Sequence, residues 1–291
     1  MDRRQFIATS LAATMATPAL ADARGFGTWI ANFRSRANAA GISDRTFDAA
    51  FQGARYLQDS IDRDRNQSEF VKPFADYMGT AASDDRVRNG RDMLRQHGRL
   101  LSRIEATYAV EPHVVLAVWG MESTYGERKG DIPLIEALAT LAYDGRRGAF
   151  FEKQLIAALK IIQSGDVAPK NMTGSWAGAM GHTQFIPTSY QAFAVDFNGD
   201  GRRDIWSNDP TDSLASTAAY LSRNGWNNSL KWGAEAGTAG VSGRTIRPQT
   251  NGVAFTVTRN FNVIKTYNNS DFYAIGIGHL ADRIGGAGPL R

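Results

Sequence analysis

The chain of 291 residues contains no cysteine. Disulfides, thiolate metal sites and cysteine nucleophiles are thereby excluded. So is the lipid-bearing cysteine that anchors bacterial envelope lipoproteins. Basic residues number 33 against 29 acidic ones, for a net charge of +4, and they never gather into a block. Without such a footprint, nucleic acid is not an expected partner. Beyond the N-terminus no stretch approaches the ~20 uninterrupted apolar residues of a membrane-spanning helix. The histidines His97, His113, His182 and His279 lack metal-ligand spacing.

What is present begins with an export signal over residues 1–21. Arg3 and Arg4 precede an apolar stretch from Phe6 to Leu20, and Ala19-Leu20-Ala21 supplies an A-x-A-like cleavage site. An ordinary basic leader fits. The arginine pair followed by Gln-Phe-Ile also resembles a twin-arginine signal. Either route leads out of the cytoplasm and makes the periplasm the expected location, with no integral membrane segment once the signal is removed.

The remainder reads as mainly α (α+β). Residues 22–104 form an N-terminal helical region. Phe26, Trp29, Ile30 and Phe33 mark one helix face, and Ser43 or Asp44 caps a helix carrying Phe47 and Phe51. Asp84 is read as the cap of one long helix reaching Ile104, weakened but not broken by Gly90. Residues 105–232 hold the chemistry. Pro112 starts a helix that ends near Gly120. Another begins at Pro133, which Asp131 would cap, and a third spans 148–163. Asp212 or Ser213 opens one more. Residues 233–291 add alternation at Val253, Phe255 and Val257, a strand pattern, and a final helix with Tyr273, Ile277 and Leu280.

One carboxylate stands out. Glu122 follows the apolar run Val114-Val115-Leu116-Ala117-Val118-Trp119. Burial there disfavours its ionised form and raises its pKa, as a general acid near neutral pH requires. A helix-end glutamate in a salt bridge is the bland alternative. Downstream, Asp144-Gly145-Arg146-Arg147-Gly148 offers two adjacent guanidinium groups, either a solvated turn or donors for an anionic ligand. The stretch from Gly174 to Tyr190 combines small residues with Trp176 and Phe185 as flat apolar faces and Ser175 and Gln184 as neutral hydrogen-bonding groups. Flat faces beside neutral polar groups suit a sugar ring. A turn that packs aromatics into the core has the same composition. His182, inside this stretch, is either a substrate contact or a packing residue.

Trp-Gly-Met-Glu-Ser-Thr-Tyr-Gly at 119–126 and Ser-Trp-Ala-Gly-Ala-Met-Gly-His-Thr-Gln-Phe-Ile-Pro-Thr-Ser-Tyr at 175–190 together resemble the membrane-bound lytic murein transglycosylase B family. The resemblance covers roughly residues 25–284. It implies a lysozyme-like catalytic core with additional helical and β regions. Glu122 matches the family's catalytic acid/base, Ser175 and Gln184 its subsite residues, and Phe185 a cleft wall. Arg146 and Arg147 match an arginine pair in the groove. Tyr267 and Asn268 match a Tyr-Asn pair that closes the site. The implied activity is cleavage of the MurNAc-β-1,4-GlcNAc bond of peptidoglycan with formation of 1,6-anhydromuramyl products. The implied partners are peptidoglycan glycan strands, with envelope protein complexes as a further class. No cofactor is required.

Most glycosidases use two carboxylates. Glu127, Asp131 and Asp144 are the nearby candidates, and none lies in a comparably apolar stretch. A one-acid site favours substrate-assisted chemistry. A hydrolytic muramidase and a non-catalytic peptidoglycan-binding module are the alternatives.

Residues 196–207 mimic a calcium loop. Asp196, Asn198, Asp200 and Asp204 stand at positions one, three, five and nine, with Arg202 at seven, where a backbone carbonyl would serve. Position twelve is Ser207, not the bidentate glutamate. Two readings stand: a weakly held structural calcium, or a metal-free Asp/Asn/Gly turn held by side-chain hydrogen bonds.

Overall fold

The computed structural model describes residues 23–66 and 73–290; the expected export signal at 1–21 lies outside them. In the order of the chain, α1 (Ala23–Ala39), α2 (Asp44–Phe51) and α3 (Gln58–Arg65) come first. Phe26, Phe33 and Phe47 are buried, as their spacing predicts. Ser43 caps α2, its side chain accepting from the Thr46 amide.

Next come α4 (Phe74–Ala81), α5 (Asp84–Gln96) and α6 (Gly98–Tyr108). The single helix expected over 84–104 is thus two helices, and Ser83, not Asp84, provides the cap by accepting from the Arg86 amide. The chain leaves helical geometry at His97 (φ −107°, ψ 16°). The imidazole turns edge-on to Trp119, with ring centroids 5.7 Å apart. The break falls immediately before Gly98, a residue that favours leaving a helix, and the contact with Trp119 accompanies it.

The helix that ends in Glu122 and Ser123, α7 (Pro112–Ser123), is buried at every position from Val114 to Gly120. A helix apolar all round belongs at the centre of a fold. Pro112 occupies its first turn as expected. It does not end near Gly120. It continues until Thr124 and Tyr125 enter the left-handed region (φ 52° and 58°). Their amides then close the helix on the carbonyls of Gly120 and Trp119.

The short strand β1 (Ile132–Pro133) leads into α8 (Leu134–Asp144), followed by α9 (Gly148–Ser164). Pro133 itself fills the cap position of α8, so the capping role expected of Asp131 is not used. Strand β2 (Thr173–Gly174) pairs antiparallel with β1. After α10 (Pro187–Phe193) and α11 (Thr211–Arg223), the strands β3 (Gly233–Glu235), β4 (Arg244–Ile246) and β5 (Phe255–Val257) form an antiparallel sheet with β5 in the middle. Helix α12 (Arg259–Tyr267) has no clear sequence signature; α13 (Asp271–Ile284) is the expected final helix.

The result is mainly helical with two small β elements. Helix α13 packs against α7, α4 and α5, which brings the C-terminal region onto the helix of Glu122. Among the described residues, no helix is long and apolar enough to cross a membrane.

Candidate active site

Glu122 occupies the last turn of α7 and is half-buried. It lines a cavity of about 290 Å³ together with Gln184, Phe185, Tyr220, Tyr267 and Asn268. Among the described residues lining this cavity, it is the one carboxylate. The Tyr273 hydroxyl, on α13, donates to Glu122 Oε1 at 2.5 Å. Burial pushes the carboxyl from its ordinary 4.5 up to about 7, and the Tyr273 hydrogen bond opposes part of that rise. Among the described residues no lysine or arginine pairs with it. The salt-bridge alternative is therefore not realised. The influence is mutual. Burial and then the nearby Glu122 charge raise the Tyr77 phenol to about 12. A carboxyl that titrates near neutrality can give a proton and take one back, which is the acid/base requirement.

The opposite wall comes from the stretch 175–190 and from the end of α12. Gln184 adopts left-handed backbone (φ 54°), unusual for a residue with a side chain. Its amide donates to the carbonyls of Lys129 at 3.0 Å and Gly181 at 2.8 Å, which fixes the turn. Phe185 is buried and packs at a tilt against Tyr220 and Tyr267, its centroid 5.8 Å from each. Tyr267 donates its hydroxyl to the Thr183 carbonyl at 2.6 Å. Asn268 stands exposed at the mouth.

Glu122, Gln184, Phe185, Tyr267 and Asn268 are thus brought together. Ser175 and the arginine pair are not among the lining residues. The Ser175 hydroxyl accepts from the amides of Ala177 (3.3 Å) and Ala179 (3.0 Å), which shapes its own turn. Arg146 and Arg147 both grip the buried carboxylate of Asp64 on α3, Arg146 through Nε at 2.6 Å. Their side chains remain 47% and 42% exposed, so each keeps donors facing solvent.

His182 is buried and packed. Its Nδ1 accepts from the Trp119 indole at 3.1 Å, and Nε2 lies 2.8 Å from the Ser207 carbonyl. Those partners define the tautomer with the proton on Nε2. The reading as a substrate contact is replaced by one as a fastener between α7 and the loop at 207. Tyr273, Tyr77 and Tyr220 went unrecognised in the sequence as site residues. Their one signal was a polar-tipped aromatic inside an apolar helix stripe, a position that also describes ordinary core.

In the calcium-like loop the acidic oxygens serve the backbone. Asp196 accepts from the amides of Gly199 (2.7 Å) and Gly201 (2.8 Å). Asn198 accepts from Asp200, Asp200 from Arg202, and Asp204 from Trp206 and Ser207. The buried Asp212 completes the set, accepting from Phe197 at 2.8 Å and Asp204 at 2.9 Å. The Lys129 ammonium sits on the carbonyls of Trp206 and Ser207, 2.8 Å from each, near the end where a twelfth-position carboxylate would stand. Among the described residues, no group of three or more acidic or histidine side chains is arranged to hold a metal ion. In this structure the Asp and Asn oxygens of the loop hold backbone amides, the arrangement that the hydrogen-bonded turn reading expects.

The sequence pattern of the transglycosylase SLT domain matches residues 25–245 and 236–282. Membrane-bound lytic murein transglycosylase B of Escherichia coli (strain K12) is 38% identical over 151 residues, which is 52% of this chain and 41% of that protein. The chain thus matches well under half the length of this curated relative. Among solved structures, SltB3 from Pseudomonas aeruginosa in complex with NAG-anhNAM-pentapeptide is 42% identical, with a TM-score of 0.86 over 90% of this chain and 80% of that one. The Escherichia coli lytic transglycosylase Slt35 in complex with calcium is 25% identical, with a TM-score of 0.75 over 91% of this chain and 93% of that one. The fold is the lysozyme-like fold of these transglycosylases.

Proposed function

The chain belongs to the transglycosylase SLT domain family, and from that premise we propose that it is a lytic transglycosylase acting on peptidoglycan. The observation that carries the reading is Glu122, a carboxyl with no cation beside it and a phenol on one oxygen, the one carboxylate among the described residues lining a cavity of about 290 Å³. Glu122 in its acid form protonates the oxygen bridging MurNAc and GlcNAc. The bond breaks, and the carbonyl oxygen of the substrate's own N-acetyl group stabilises the electron-poor anomeric carbon. Glu122, now a carboxylate, removes the proton of the muramic acid C6 hydroxyl. That oxygen closes the 1,6-anhydro ring, and the acid is restored. No water is consumed, and no second carboxylate is needed. An internal nucleophile has a high effective concentration, and a cavity walled by Phe185, Tyr220 and Tyr267 disfavours competing water.

Gln184, Phe185, Tyr267 and Asn268 hold the sugars beside Glu122. Ser175 shapes the 175–179 turn, while Arg146 and Arg147 face anionic groups of the substrate from outside the cavity. The loop 196–207 works without metal. Export by the N-terminal arginine-pair signal would deliver the chain to its polymer in the periplasm.

The test is mass spectrometry of the muropeptides released from purified sacculi. Anhydromuramyl ends are expected. Reducing ends would convert the assignment to a hydrolytic muramidase. Glu122→Gln is expected to bind glycan and release nothing, and wild-type-like turnover by that variant would end the assignment.

A further inference from the structure

A second cavity, of about 460 Å³, is lined in part by Pro133 of the β1–β2 ribbon and shares no lining residue with the first. It is formed by the end of α2, the first turn of α8 and the turn at 168–172. Most of its lining is small and apolar, with Ala49, Ala54, Ala168 and Pro169 among it. One acidic group breaks that surface. Glu136 is only 13% exposed, and its Oε2 is sealed from water and accepts no hydrogen bond. The nearest cation, the Arg55 guanidinium, stands 3.7 Å from it without bonding, on a side chain 73% exposed. A buried carboxylate oxygen without a donor is costly and invites one. Lys170 and Gln52 complete the polar groups of the lining.

The wall between the cavities is thin. A methyl group built on Gly174 would lie 2.8 Å from Leu134, which lines the second cavity, and 2.2 Å from the carbonyl of Ala179, which lines the first. Gly174 thus lies against one lining residue of each cavity. An extended peptide advances at most about 3.3–3.6 Å per residue, so a stem of four or five residues reaches roughly 13–18 Å from the sugar that bears it.

We propose that this second cavity seats the stem peptide of the glycan strand, with the peptide's free ammonium group on Glu136. Alanine-sized side chains fill the apolar lining, and the ammonium displaces Arg55 and donates to the Glu136 carboxylate. Lys170 and the released Arg55 then flank the peptide's carboxylate. The inference rests on the reading that the chain cleaves peptide-bearing peptidoglycan.

Two substrates separate the alternatives: glycan strands carrying their stem peptides, and the same strands stripped of peptides by an amidase. With wild-type protein, cleavage of both sustains the assigned activity, and cleavage of neither removes it regardless of Glu136. Glu136→Gln keeps the side-chain shape and loses the charge. It is expected to raise KM about tenfold on peptide-bearing strands, the scale of one charge-assisted hydrogen bond, with kcat and the stripped-strand KM unchanged. Acetylating the stem amines should raise the wild-type KM equally and leave Glu136→Gln indifferent. Lys170→Ala, at the exposed rim, gives a second reading should Glu136→Gln fold poorly, with a smaller KM increase on peptide-bearing strands only. Equal effects on both substrates, or no change in any KM, would overturn the proposal.

Discussion

Glu122 takes its one short hydrogen bond from Tyr273, and that bond divides its two oxygens between two tasks. Oε1 is engaged by the phenol, so the other oxygen is the one left for the substrate. The phenol also favours the charged form and so holds the carboxyl below the value that burial alone would impose. The first step needs the protonated acid. Activity should therefore fall as pH rises through about 7, where Glu122 ionises. Tyr273→Phe removes the opposing interaction, so this limb of the kcat/KM profile should move to higher pH. kcat should fall tenfold or more, because the carboxylate needed for ring closure loses its donor. A profile whose limb stays in place would mean that the phenol does not touch the ionisation. The apolar run before Glu122 made its raised pKa readable from sequence. Its partner lies 151 residues further on, and nothing local in either segment announces the pairing.

Among the elements, α7 was legible from its proline start and continuous apolar run, and α9 from its broad stripe and closing glycine. The break between α5 and α6 was not, although Gly98 stands right after His97, because the apolar periodicity continues through Leu101 and Ile104 on the other side. Helix α12 escaped notice because its nine residues place Phe261 and Ile264 among Asn, Lys and Thr, too short a span to show a period. Gly90 has a reason beyond the helix it weakens. A methyl group there would stand 2.5 Å from the Tyr125 hydroxyl and 2.6 Å from Ile284, where α5 meets α7 and α13. Gly90→Ala should therefore destabilise the fold by about 1–3 kcal/mol in denaturant melts, although alanine is the better helix former. At the loop 196–207, adding calcium to the purified protein should leave the thermal midpoint where it was, since the carboxylates already hold backbone amides. A rise of several degrees at micromolar calcium would restore the metal.

At the scale of the molecule, the cavity is assembled from α7, the 175–190 stretch and the end of α12, and it is backed by α13. The buried apolar residues form one cluster running from Phe26 to Ile284. Loss of glycan cleavage and loss of near-ultraviolet dichroism should accordingly coincide in a single thermal transition; separate transitions would assign the N-terminal helices an independent fold. The lysozyme-like core was apparent from two motifs, while the way residues 233–291 complete it depends on contacts that only the folded chain reveals. Glu122 meets a phenol where many acids meet an arginine, and this has an environmental consequence. Dissolved ions weaken attractions between exposed charges but act far less on a hydrogen bond at a half-buried carboxyl. The pH at which Glu122 ionises should therefore shift little between dilute and concentrated salt.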